Sequence, residues 1–146
     1  PCLTAFIPML MDTGGNSGSQ ACVSIIRGIS LNEIEFRDLG RVVWKEIRVS
    51  VLCGVCLAVA CFAKIVVVDM LLLKSESVTY LVAFVVCATM AVTVCLAKIV
   101  GSTLPLLAKK LGFDPAVMAS PIITTIVDFL SLLVYFAFAT AILGIG

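Results

Sequence analysis

The sequence predicts an all-α membrane protein, a polytopic bundle of four spanning helices, and three observations carry that expectation. Of its 146 residues 62% are hydrophobic and 13% charged, with mean hydropathy +1.22, whereas a soluble domain carries about 25% charged residues. Its apolar runs reach the roughly 20 residues that a helix needs to cross a bilayer. The basic residues are sorted, with five of the ten (Arg27, Arg37, Arg41, Lys45 and Arg48) falling within one short stretch. Such sorting marks a cytoplasmic flank.

The first predicted span covers residues 2–28, about 40 Å at ~1.5 Å per residue. The chain opens inside this apolar run and does not begin with Met, so it reads as an excised segment with no signal peptide. The middle of the span is polar and glycine-rich: Asp12-Thr13-Gly14-Gly15-Asn16-Ser17-Gly18-Ser19-Gln20. Gly14 and Gly18 suit a close helix crossing. Asp12, Asn16 and Gln20 follow one another at i+4 steps and predict one polar helix face. A loosened helix whose backbone faces a cavity is the competing reading, tolerated in a membrane only where protein or water covers it.

Residues 29–48 are expected to form a charged cytoplasmic loop, with Trp44 as an interfacial anchor. The second span is predicted over 49–70, with Lys64 near its far end, where a long side chain reaches the headgroups. A short external turn follows. The third span is predicted over 78–100, uncharged before Lys98, with a cytoplasmic loop at 101–114 that carries Lys109 and Lys110. The fourth covers 115–144. Asp114-Pro115 supplies a cap and a first-turn proline, and Ser120-Pro121 offers a rival start or a kink. Both chain ends are then outside and both basic loops inside.

The fourth run contains a single charge, Asp128, with Ser120, Thr124, Ser131 and Tyr135 on the same helical face. A charge at the bilayer centre costs roughly 2.5–3.5 kcal/mol and rarely faces lipid. Asn16 and Asp128 each lie about 18–20 Å from the cytoplasmic end of their helices. Polar groups at one depth in antiparallel helices suit a central ion or substrate site.

The donors at that level are carboxylate, amide and hydroxyl oxygens, joined by the Val117 carbonyl if Pro121 interrupts a continuous helix. Oxygen-only sites suit hard cations, and magnesium needs only one or two carboxylates because it keeps several waters. The chain has no histidine and seven cysteines, all in apolar stretches. Cys53 and Cys56 have redox or metal spacing, but with no strand signal or nearby base they read as small apolar residues. No basic patch interleaved with aromatics points to nucleic acid. No catalytic constellation points to an enzyme.

Pro8, the Gly14–Gln20 run GGNSGSQ, Arg27-Gly28, Asp114-Pro115-Ala116 and the spaced set Ser120-Pro121-Thr124-Thr125-Asp128 together resemble the membrane domain of the MgtE family of magnesium channels. The resemblance covers essentially the whole chain. It implies a homodimer of five-helix protomers in the plasma membrane, with a Mg2+ pore along the dimer interface. It also implies that Asp128 holds the hydrated ion, aided by the helix backbone near Thr124, by Ser120 and by Asn16, with Asp12, Gly14, Gly15, Gln20, Pro121 and Thr125 lining the path. The chain would then start within the family's second helix, without its first helix or its cytosolic regulatory domains. Asp12 lies outside the family pattern. A coupled cation transporter and a non-conducting membrane assembly module are the alternatives.

Overall fold

The computed structural model describes residues 3–72, 74, 78–118 and 121–144. Four α-helices carry the architecture: α1 (Ile7–Ser30), α2 (Leu39–Lys64), α3 (Tyr80–Lys110) and α4 (Pro121–Leu143). There is no strand among the described residues. Three helical segments, Phe36–Asp69, Tyr80–Lys110 and Pro121–Leu143, are long and apolar enough to cross a membrane. The chain is therefore a helical membrane protein. At 24 residues, or about 36 Å, α1 has the length as well, but its polar centre keeps it out of the strongly apolar set.

α3 is the central helix, packed against each of the other three, while α1 and α4 also pack on one another. Its buried residues recur as adjacent pairs every fourth position, from Val85-Val86 to Pro105-Leu106, a broad stripe facing the other helices, while Leu81, Phe84 and Val92 are exposed. The apolar core is layered along the bundle. One layer gathers Phe6, Leu10, Ile65, Val86 and Tyr135. A thinner one holds Cys22, Ala97, Ile123 and Val127, and a third holds Ile25, Ile29, Val42 and Leu106.

The helices approach most closely through glycine. A methyl group on Gly101 of α3 would overlap the Gly18 carbonyl of α1, and one on Gly14 would lie 2.7 Å from the Thr93 methyl and 2.9 Å from Val127. Only small residues permit such contact, which is how helices pack where lipid removes the hydrophobic drive between them.

The helices overrun the expected loops. The charged segment 29–48, expected as a loop, is mostly helical: α1 continues to Ser30, a 3-10 turn covers Phe36–Asp38, and α2 starts at Leu39. The cause is local, because Glu35 and Asp38 form a reciprocal capping box, with the Glu35 N–H donating to Asp38 Oδ2 at 3.1 Å. The 101–114 loop likewise shrinks, since α3 runs through Pro105 to Lys110. Pro105 removes the donor to the Gly101 carbonyl, yet the helix holds within the buried crossing with α1. It ends at Gly112, whose φ of +81° suits the residue after a helix.

Beyond Lys64 the chain does not turn at once but continues as π-helix over Ile65–Leu72. The i to i+5 spacing of that form brings Lys64 Nζ within 2.8 Å of Asp69 Oδ2. The two candidate starts of the last helix are both used. Asp114 Oδ1 accepts the Ala116 N–H at 2.9 Å and caps the 3-10 turn Pro115–Met118, while α4 proper opens at Pro121. The continuity on which freeing the Val117 carbonyl depends involves residues 119–120, which lie outside the described residues.

Candidate ion site

α1 contributes a face of unlike character to each side. Gly14, Gly15 and Gly18 are buried, while Asp12, Asn16 and Gln20 are exposed along one edge, as their i+4 spacing dictates. α4 supplies the carboxylate. A methyl group on Gly15 would lie 3.3 Å from the Thr124 methyl and 3.8 Å from Asp128 Oδ1. Asp128 and Thr124, both half-buried, therefore meet α1 at the residue next to Asn16. Asp12 stands one helical turn before Asn16 on that same edge.

At the start of α4 the hydroxyls of Thr124 and Thr125 both donate to the Pro121 carbonyl, at 3.1 and 2.8 Å. That carbonyl thus bonds to side chains in the opening turn of the helix, and Pro121 and Thr125 are exposed. Ser120 lies outside the described residues. Gly14, expected along the path, is instead packed into the helix crossing against Thr93, Val127 and Ser131.

The predicted polar face of α4 divides by depth. Ser131 and Tyr135 are fully buried. The Ser131 hydroxyl donates to the Val127 carbonyl at 2.6 Å, and the Tyr135 hydroxyl donates to the Leu3 carbonyl at 2.9 Å. Both are structural, and they leave Thr124 and Asp128 as the half-buried end of the face. Among the described residues no three Cys, Asp or Glu side chains converge. The chain thus offers a carboxylate with neutral oxygens rather than a cage, the donor set that suits a cation retaining its water.

Two open grooves flank the α1 face. One, of about 480 Å³, is bordered by Asn16, Gln20 and Arg27. The other, of about 390 Å³, lies where α1 and α2 part above α3, with Asp12, Asn16 and Gln20 on one wall, the free thiols Cys53 and Cys56 on the other, and Lys98 beneath. Lys98 is 8% and Glu46 7% exposed, and Lys98 Nζ lies 3.7 Å from Glu46 Oε2. Sequence reasoning left Glu46 in a solvated charge run and Lys98 at a span's end. The signal for Lys98 was the one that picked out Asp128, a single charge within an apolar span.

The chain is 34% identical over 139 residues to the magnesium transporter MgtE of Bacillus subtilis, covering 95% of this chain and 29% of that protein. It is 33% identical over 141 residues to the magnesium transporter MgtE of Thermus thermophilus, again covering 29% of the relative. A third relative, from Enterococcus faecalis, is 31% identical over 138 residues. The chain thus spans under a third of the length of these proteins. The family model described as MgtE, divalent cation transporter, matches residues 7–138, and with its glycine-packed helices and Asp128 set against Gly15 of α1, this chain belongs to the MgtE family of divalent cation transporters.

Proposed function

We propose that the chain is the ion-conducting part of a magnesium transporter, and that Asp128 holds a hydrated Mg2+ with Thr124, Ser120 and Asn16 around it. The observation that carries this reading is the approach of Asp128 and Thr124 to Gly15, the residue that precedes Asn16 in α1. The names of the relatives, all magnesium transporters, support the choice of ion. Pro121, Thr125, Gly15, Gln20 and Asp12 line the same path.

A second copy of the chain completes the site. One Asp128 is a weak holder for a divalent ion, whereas two across a homodimer axis match the one or two carboxylates that magnesium uses while keeping its waters. The ion is held by water-mediated bonds, firmly enough to enter and loosely enough to leave. Flux is passive and channel-like, because a divalent ion gains about 4.6 kcal/mol per 100 mV of membrane potential, twice the single-charge value. In the plasma membrane, with both ends of this chain outside and the Arg37–Arg48 flank inside, that potential drives the ion inward. Regulation by cytosolic domains belongs to the longer protein.

The test is Mg2+ uptake into liposomes holding the full-length protein under an imposed potential. Replacing Asp128→Asn removes a charge-assisted contact and is expected to lower uptake about 10- to 100-fold, with a smaller loss for Asn16→Ala. Wild-type uptake in both variants contradicts the assignment.

A further inference from the structure

The groove between α1 and α2 holds a charge that the ion site does not use. Lys98 is buried, yet its side chain lines the groove together with Asp12, Asn16 and Gln20. Its partner Glu46, on α2 but outside the groove lining, lies 3.7 Å away, longer than a hydrogen bond. Lys98 thus both neighbours Glu46 and lines the groove with the polar face of α1. Its level follows from the helix crossing: Gly18 packs on Ala97 and Gly101, which bracket Lys98, while Gly15 packs on Asp128. Three residues of α1, about 4.5 Å, separate the two levels. Along α1 the charges thus run from the Asp12 carboxylate on its own edge and the Asp128 carboxylate of α4 beside Gly15, through the Lys98 ammonium of α3, to the Arg27 guanidinium at the border of the neighbouring groove.

A divalent ion beside two carboxylates per protomer is attracted strongly, and conduction fails if the ion cannot leave. A fixed positive charge in the groove that Asp12, Asn16 and Gln20 line offsets that attraction. Its effect on a double charge is twice that on a single one. Resting on the reading of Asp128 as the ion site, we propose that Lys98, set in place by Glu46, is a specificity-determining residue that weakens divalent-ion binding along α1 so that the ion passes on. Glu46 is the positioning residue. It neutralises the buried ammonium enough for Lys98 to stay in the bundle, and the order Glu46, Lys98, groove keeps the carboxylate away from the ion.

Exchanging the two charges tests this while preserving the pair. In the full-length protein, Lys98→Glu with Glu46→Lys keeps an ion pair between α2 and α3 but turns the carboxylate toward the groove. Mg2+ uptake is measured over a range of concentrations, per unit of folded protein by size exclusion. The concentration for half-maximal uptake is expected to fall about three- to tenfold, with block by Ca2+ tightening as well. The neutral pair Lys98→Met with Glu46→Gln is expected between wild type and the exchange, and it decides the matter alone if the exchanged variant does not fold. Wild-type half-saturation and Ca2+ block in the folded variants overturn the proposal, since a purely structural pair moves neither. Loss of uptake in Asp128→Asn with no shift in the paired variants leaves the ion site standing and removes Lys98. Retained uptake in Asp128→Asn removes the ion site itself.

Discussion

Asp128 meets α1 at Gly15, where an added methyl group would lie 3.8 Å from Asp128 Oδ1 and 3.3 Å from the Thr124 methyl. The lone acid and the i+4 polar series were legible in the sequence because each stands out within its own helix. The partition of the α4 face was not, since Ser131 and Tyr135 share that face and only packing decides that they are buried. Tyr135→Phe separates structure from transport. It removes the bond to the Leu3 carbonyl and is expected to cost about 0.5–1.5 kcal/mol of stability, read by thermal unfolding in detergent, while Mg2+ uptake per folded molecule stays at the wild-type level. The Lys98 pair was illegible for a different reason. Its two members lie 52 residues apart on separate helices, and no local spacing connects them.

Among the elements, the glycines of α1 and α3 fix how closely the helices approach. Gly101→Ala drives a methyl group into the Gly18 backbone, where no flexible side chain can yield. It is expected to destabilise the protein by at least the roughly 1–3 kcal/mol typical of overpacking. Gly40→Ala is the control, since nothing lies within 4 Å of its added methyl, and in a helix it is expected to stabilise by up to about 1 kcal/mol. Thermal midpoints of the two variants, measured side by side, check both. The existence of α2, α3 and α4 was legible from their apolar runs. Their lengths were not, because hydropathy reports what lipid covers, whereas a helix continues into water wherever caps sustain it. The Glu35–Asp38 box starts helix before Leu39, and Pro105 is carried within α3 by the packing around it.

For the whole molecule, the arrangement of α1 and α2, joined through α3 and parted above Lys98, makes an open groove along the polar edge of α1. Cys53 and Cys56 border it, whereas Cys22 and Cys61 are buried. A membrane-impermeant maleimide is therefore expected to label Cys56 and Cys53 well before Cys22 and Cys61, scored by mass spectrometry of peptides, and equal labelling of all four contradicts the groove. The central claim, that a hydrated ion sits at Asp128, is tested most directly by locating a bound divalent ion. Mn2+ soaked into crystals of the protein gives an anomalous peak, expected roughly 4–5 Å from the Asp128 carboxylate oxygens, the separation that one bridging water sets, beside Thr124 and Asn16, and absent in Asp128→Asn. A membrane-level peak elsewhere along α1, or one that survives Asp128→Asn unchanged, contradicts it.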